Sequence, residues 1–287
     1  FNGNQLSTSV QDTGITVEGG AFVITRGGSY ELKGDLSNGQ IKVAVPKTEQ
    51  VELIFNNFTA SCNTSAPLYI ESADKATIVL AAGSVNTLTD ATLYQFANPA
   101  EDKPNACIYS SDDMTIKGTG TLNVNGNYNN GIGCKNDLRI KDCTLNVTGV
   151  NNILKGNDSV EIKGGNITLI ASGGDCIKTS NSDISEKGNQ RGNISIVGGT
   201  HNLYAACDGI DAAYNATVDE STTVLNIYTD KYSNYSKEVT ATSSDANYIR
   251  FTSNKYYYSV KYYNSDTDYI WVNAEYHSSV SGGRSNY

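Results

Sequence analysis

The chain has 287 residues, a formal net charge of −9, no Lys/Arg-rich run and no apolar stretch near the roughly 20 residues that span a bilayer. A nucleic-acid partner and helical membrane insertion are therefore not expected. Glycine is abundant (27), proline scarce (4), and Val, Ile, Thr and Tyr recur without a 3.6-residue apolar period, which predicts an all-β fold.

In chain order, ITVEGGAFVIT (15–25), YELKGDLSNGQIKVAV (30–45), VELIFNNFTA (51–60) and ATIVLAAG (76–83) read as short strands separated by turn residues. The segment 86–105, with two of the four prolines, breaks that rhythm and reads as a projecting loop.

A repeat follows. MTIKGTGTLNV, LRIKDCTLNV, VEIKGGNITL and ISIVGGTHNL align with Ile116, Ile140, Ile162 and Ile196 in one column, spaced 24, 22 and 34. Val124, Val147, Leu169 and Leu203 form a second column, and Ile108, Ile132, Leu154, Ile177 and Ile210 a third. All three take one long final step, so SNSDISEKGNQR (180–191) is a single insertion. Three strands per period of about 23 residues predict a right-handed parallel β-helix, a three-sheet solenoid over residues 1–225.

From about residue 214 tyrosines crowd the chain, and YYYSVKYY and YIWVNAEY alternate as antiparallel strands do. Residues 226–287 read as a Tyr-rich cap or small β module. Its aromatics either pack a small core or offer a sugar-stacking platform. His201 falls in the apolar column of Leu145 and Ile167 and reads as structural; His277 has no partner motif.

Six cysteines allow two readings. Cys176 with Cys207, and Cys107 with Cys134, lie on adjacent repeats and could bridge; equally, all six could be stacked thiols. Sequons begin at Asn57, Asn63, Asn146, Asn157, Asn166, Asn193, Asn215 and Asn234. Together with the cysteines they point to a secreted, extracellular or cell-surface glycoprotein. The expected assembly is a monomer, with the chain open to being part of a larger multidomain protein.

Polar columns flank the third ladder. Asn130, Asn152, Asp175 and Asp208 share one phase; Tyr109, Gly133, Lys155, Lys178 and Asp211 share another. Stacked acids and amides supply the oxygens that Ca²⁺ takes, which makes Asp175, Asp208, Asp211 and Asn152 candidate metal ligands. An Asn/Asp turn ladder would give the same pattern. Asp113, Asp137 and Asp158 form a weaker acidic stripe. Lys155, Lys178, Tyr109 and Asn130 are candidate contacts for a bound chain, and Lys178 or Lys155 a candidate base if the protein is an enzyme. A lysine merely paired with Asp211 is the simpler reading.

NGNYNNGI (125–132), the coil NNILKGNDSVEIKGGNITL, GGDCIKTSN and CDGIDA together resemble the secreted carbohydrate-binding β-helix proteins of cellulolytic microbes, over roughly residues 15–225. The resemblance implies a pectate-lyase-like fold, several bound calcium ions, and binding of cellulose and acidic plant cell-wall polysaccharide such as polygalacturonate (pectin). It implies calcium at Asp175, Asp208 and Asp211. Asn152 stands where the family often has Asp, and Ile153 and Cys176 where it has glycine. A non-catalytic polysaccharide-binding protein is the leading expectation. A calcium-dependent pectate-type lyase and a structural adhesin solenoid are the alternatives.

Overall fold

The structure is a computed structural model that describes residues 1–8, 13–96, 98, 100, 102–229, 248–252, 257–263 and 269–271. Only backbone is described for Glu220 and for the last three stretches. The chain is all-β, as its composition predicts, and its repeats do stack. Met114–Gly118 pairs in parallel with Asp137–Lys141, which pairs with Ser159–Lys163; Thr121–Gly126 pairs with Thr144–Gly149, which pairs with Asn166–Ala171.

The expected right-handed three-sheet β-helix is not what these pairings build. The strand columns join into a closed, all-parallel barrel of ten strands beside a separate mixed sheet. Two long strands close the barrel. Gln50–Ser61 pairs through its first half with Lys75–Leu80 and through its second half with Val85–Thr89. Asn193–Ala205 pairs likewise with Ser159–Lys163 and with Asn166–Ala171. The repeat fixes which residue lies one strand away from which. It is silent on how columns connect, and the two bridging strands decide that.

Each bridging strand needs a bend. In Gln50–Ser61 it falls at Asn57, whose φ of 54° lies in the left-handed region that Asn tolerates. The bend takes Phe58 N–H out of the backbone ladder. Buried Asn86 replaces the lost partner: its Oδ1 accepts that N–H at 2.9 Å and its Nδ2 donates to Thr121 O at 3.1 Å. In Asn193–Ala205 the bend is at Gly198–Gly199; a Cβ on Gly199 would lie 2.4 Å from Gly165 O, so no other residue fits there without movement.

The mixed sheet has nine strands, Ile15–Glu18 and Ala21–Ile24 running antiparallel and the rest parallel: Gln40–Ala44, Leu68–Ser72, Ala106–Ser110, Asn130–Cys134, Leu154–Gly156, Ile177–Lys178 and Ile210–Asp211. Its inward row, including Ile108, Ile132, Leu154, Ile177 and Ile210, shares one hydrophobic cluster with the inward rows of the barrel. Each such buried aliphatic side chain contributes roughly 1.5–3 kcal/mol. Beyond the barrel, Asn193–Ala205 pairs with Asn215–Thr229, and the Tyr-rich segment adds antiparallel strands Tyr248–Thr252, Tyr257–Tyr263 and Tyr269–Trp271.

All six cysteines are free thiols, so the bridged reading is corrected. Most point into the core, where burial pushes the Cys134 and Cys143 thiols up to about 12. His201 is buried in the apolar column, as expected, with Nε2 on Gly198 O at 2.8 Å and Nδ1 unpaired; burial lowers its pKa. His277 lies outside the described residues, as do Tyr232, Tyr235, Tyr256, Tyr276 and Tyr287.

The loop after Thr89 packs where it was expected to project. Tyr94 stacks on Tyr128 at 4.1 Å and joins Ala66, Ala91 and Phe96 in a small cluster. Its hydroxyl lies 2.6 Å from Asp90 Oδ2 and 3.1 Å from Ala106 O. A phenol has one proton for these two acceptors. Ionised, Asp90 accepts from Tyr94; protonated, it can donate to Tyr94, which then donates to Ala106.

Burial accordingly raises Asp90 to about 6. Because the folded value exceeds the unfolded one of about 3.9, its contribution to stability is full below about pH 4 and is lost as pH rises through 6. Asp90→Asn mimics the protonated acid. We predict that it matches the wild type in urea denaturation at pH 4 and is more stable by roughly 1–3 kcal/mol at pH 8. An equal change at both pH values would rule out an ionisation effect.

Candidate functional site

The outward row of the mixed sheet assembles the second polar column in register. Lys42 pairs with Tyr69, Tyr69 with Tyr109, Tyr109 with Gly133, Gly133 with Lys155, Lys155 with Lys178, and Lys178 with Asp211. Parallel pairing places each side chain about 4.8 Å from the next. The row therefore runs aromatic in its middle, cationic beyond it, and acidic at the end.

At that end Asp175, Asp208 and Asp211 converge, with one oxygen of each within 4.8 Å of the others. Lys178 lies among them: its Nζ is 2.8 Å from Asp175 Oδ2 and also bonds Asp211 Oδ2. Burial would weaken the ammonium, but hydrogen bonds to Asp175 and Asp211 outweigh it and hold its pKa above the usual lysine range. Lys178 thus supplies the positive charge that stacked carboxylates demand, and it is a poor base at neutral pH.

The first polar column is a hydrogen-bonded turn ladder. Asn130 Oδ1 accepts Asn152 N–H at 3.1 Å, Asn152 Oδ1 accepts Asp175 N–H at 3.3 Å, and Asp175 Oδ1 accepts Asp208 N–H at 2.9 Å. Asn130 is 2 % exposed and its amide donates to Asn105 O, so it lies beneath the face. The oxygen set at Asp175, Asp208 and Asp211 has the right chemistry for a hard cation such as Ca²⁺. A cation bound there takes the place of the Lys178 ammonium.

The weaker acidic stripe is neutralised by protein cations. Arg139 lies 3.5 Å from Asp113, 2.7 Å from Asp137 and 3.8 Å from Glu161, and Arg191 Nε lies 2.8 Å from Asp158. Burial and then Asp137 raise Asp113 above the ordinary carboxylate range.

Lys155 differs from Lys178. It is half-buried, and its side chain has neither a hydrogen bond nor an ion pair among the described residues. Burial, then the neighbouring Lys178 and Lys103 ammoniums, lower its pKa. Lys103, in the loop before Ala106–Ser110, lies 5.9 Å from the Tyr109 ring centroid; Lys42 lies equally far from Tyr69, and the two rings are 5.9 Å apart. Tyr109 is itself 4 % exposed, so its ring forms the wall of the row. That ring leans over Gly133, where an added Cβ would lie 3.1 Å from Tyr109 Cδ2. Lys103 and Lys42 escape the sequence reading: Lys103 lies in a loop outside the repeat, and Lys42 in a less regular early strand. A Tyr-rich stacking platform from residues 248–287 lies outside the described side chains.

Comparison with known proteins agrees with this chemistry. A family model described as "Carbohydrate-binding domain-containing protein" matches residues 18–285. A protein of the same description from Acetivibrio thermocellus is 44% identical over 147 residues, which are 51% of each chain. The chain thus spans about half the length of that curated relative. A solved structure described as the polysaccharide lyase-like protein from C. thermocellum, gadolinium derivative, is 40% identical with a TM-score of 0.75, covering 80% of this chain and 89% of that one.

Removing the internal cation should expose the repulsion it suppresses. We predict that Lys178→Met costs roughly 1–3 kcal/mol at pH 7 and much less at pH 3, where the carboxylates protonate. Equal losses at both pH values would show that Lys178 acts through packing.

Proposed function

This chain belongs to the carbohydrate-binding domain-containing protein family, and on that premise we propose that it is a non-catalytic, secreted polysaccharide-binding protein that holds an acidic glycan along the Lys–Tyr row. The observation that carries the reading is Lys155, whose ammonium makes no ion pair or side-chain hydrogen bond among the described residues, in a row it shares with Lys178. A uronate carboxylate would relieve both its desolvation and its repulsion from Lys103 and Lys178. The partly exposed Tyr69 gives the row an apolar face suited to the C–H faces of sugar rings, and the expected contact Tyr109 is buried beneath it. The chain's net negative charge keeps an acidic polymer off the rest of the surface.

Calcium is the second part of the proposal, with Asp175, Asp208 and Asp211 as ligands once Lys178 swings out. The description of the C. thermocellum structure as a gadolinium derivative supports it, because gadolinium is also a hard, oxygen-seeking cation. Asn152 and Asn130 hold the ladder that positions Asp175.

A lyase reading has one observation in its favour: the lowered pKa of Lys155, in a chain similar to a polysaccharide lyase-like protein. General-base removal of a proton beside a uronate carboxylate can use such a lysine. The binding reading expects no unsaturated product when protein, polygalacturonate and Ca²⁺ are incubated at pH 7–10. Product whose formation ceases in Lys155→Gln would establish the lyase instead.

We predict that Lys155→Gln weakens retention in polygalacturonate affinity gels by about tenfold and flattens the salt dependence of binding, with the fold unchanged. Wild-type retention in Lys155→Gln would exclude the row as the site. For calcium, the metal should raise the melting temperature of Lys178→Met more than that of the wild type, and Asp208→Ala should abolish the rise. An identical response in all three proteins would place any calcium elsewhere.

A further inference from the structure

After Val85–Thr89 the chain leaves the stack, and it returns at Ala106–Ser110 with Lys103 beside Tyr109 in the Lys–Tyr row. Two buried residues hold the neck of this arm. Asp90 is 4% exposed and Tyr94 6%. The Tyr94 hydroxyl stands between Asp90 Oδ2 on the outgoing side of the neck and Ala106 O on the returning side. Beyond the neck the arm has fewer ties: Gln95 N–H bonds Thr64 O at 2.8 Å, and Leu93 is 71% exposed.

Asp90 has no ion pair among the described residues. Its Oδ1 accepts Asn127 N–H, and its backbone O accepts Asn127 Nδ2 at 2.9 Å. The titratable groups around the Asp90–Tyr94 pair are Tyr128, stacked on Tyr94, Cys107 from Ala106–Ser110, and Cys62 from the turn after Gln50–Ser61. None of them is a cation.

We propose that this neck is a proton-operated latch, which holds the Lys103 arm against the row in mildly acidic solution and loosens it near neutrality. Its consequence for binding rests on the reading of the row as an acidic-glycan site; the latch itself does not. With Asp90 protonated, the acid donates to Tyr94 and Tyr94 to Ala106 O, so one chain of hydrogen bonds ties the two sides of the neck. With Asp90 ionised, the phenol proton turns to the carboxylate, because a charge-assisted bond is the stronger one. Ala106 O then loses its donor from the arm, and the neck encloses a charge without a counter-ion.

Burial raises Asp90 to about 6. The folded value exceeds the unfolded one of about 3.9, so the proton's contribution is full below about pH 4 and is lost as pH rises through 6. A difference of about two units limits the whole effect to roughly a hundredfold, of which about tenfold falls between pH 5 and pH 7.5. Lys103 lies three residues before Ala106, so the neck decides where its ammonium sits. Held in place, it stands near enough to Lys155 to lower that lysine's pKa, and the two can share one carboxylate of a bound chain. Carboxylic acids with pKa near about 3.5 remain ionised at pH 5, where the latch is closed.

The test pairs a binding measurement with one that needs no ligand. Amide hydrogen exchange over residues 91–106 is measured at pH 5 and pH 7.5, each rate divided by that of an unstructured peptide of the same sequence. Wild-type exchange should be about tenfold faster at pH 7.5, and retention in polygalacturonate gels several-fold weaker. Asp90→Asn should exchange slowly and bind well at both pH values. If that variant does not fold, Tyr94→Phe carries the test, with fast exchange expected at both. Lys103→Gln should lower retention at pH 5 to the wild-type level at pH 7.5 and leave the exchange step intact. Equal wild-type exchange at both pH values, or a step that survives in Asp90→Asn, overturns the latch. A retention step that survives in Asp90→Asn belongs to Lys155 and overturns the regulation. Absence of retention at every pH refutes the row as a glycan site, and the exchange comparison still upholds or overturns the latch.

Discussion

Everything on the surface of this protein follows from parallel pairing in register. Each outward side chain has, about 4.8 Å away, the residue at the same phase of the next repeat. A repeat that placed a charge at such a position would stack like on like. The chain meets that constraint in three ways on three faces. It mixes sign, with Arg139 among Asp113, Asp137 and Glu161 and with Glu161 beside the stacked Lys117, Lys141 and Lys163 row at Lys163. It excludes charge, along Asn123, Asn146 and Asn202. On the mixed sheet it lets cations accumulate, at Lys155 and Lys178, and balances only one of them.

The difference between those two lysines lies in a single neighbour. Lys178 has Asp211 above it and Asp175 beside it; Lys155 has Gly133 on one side and Lys178 on the other. The same side chain in the same phase is a structural counter-ion in one strand and, among the described residues, an ammonium without an ion pair in the next. The Asp175–Asp208–Asp211 cluster already holds one cation, the Lys178 ammonium. Calcium bound as proposed would compete with Lys178 for the same oxygens and so would set how far the row's positive charge extends.

The columns were legible in the sequence because phase is a one-dimensional property. Ile108, Ile132, Leu154, Ile177 and Ile210 align by counting, and so do Lys155, Lys178 and Asp211. Closure was not legible. It depends on Gln50–Ser61 and Asn193–Ala205 each running on past a bend, and the cues for those bends, Asn57 and Gly198–Gly199, look like ordinary turn residues. The loop partners were missed for a related reason. Lys103 and Tyr94 reach the sheet from outside the repeat, so no spacing connects them to Tyr109 or Asp90. Disulfides were one of two open readings because proximity of strands says nothing about the direction in which a thiol points, and most of these point into the core.

The inserted segment 180–191 shows what such a scaffold tolerates. Its neck is tied off by Thr179, whose hydroxyl donates to Gly192 O at 3.0 Å and accepts Ala213 N–H at 2.8 Å, and Gly192 N–H in turn bonds Asp158 O. Strand register resumes on the far side at Asn193 as though nothing had intervened. With the neck closed, lengthening the segment costs little, since loop entropy grows only logarithmically with length. The corner after Lys178 is thus a cloning site of nature's own making. Sequence can be spliced in beside the cationic end of the row, and new chemistry brought to it, without disturbing a single rung of the stack.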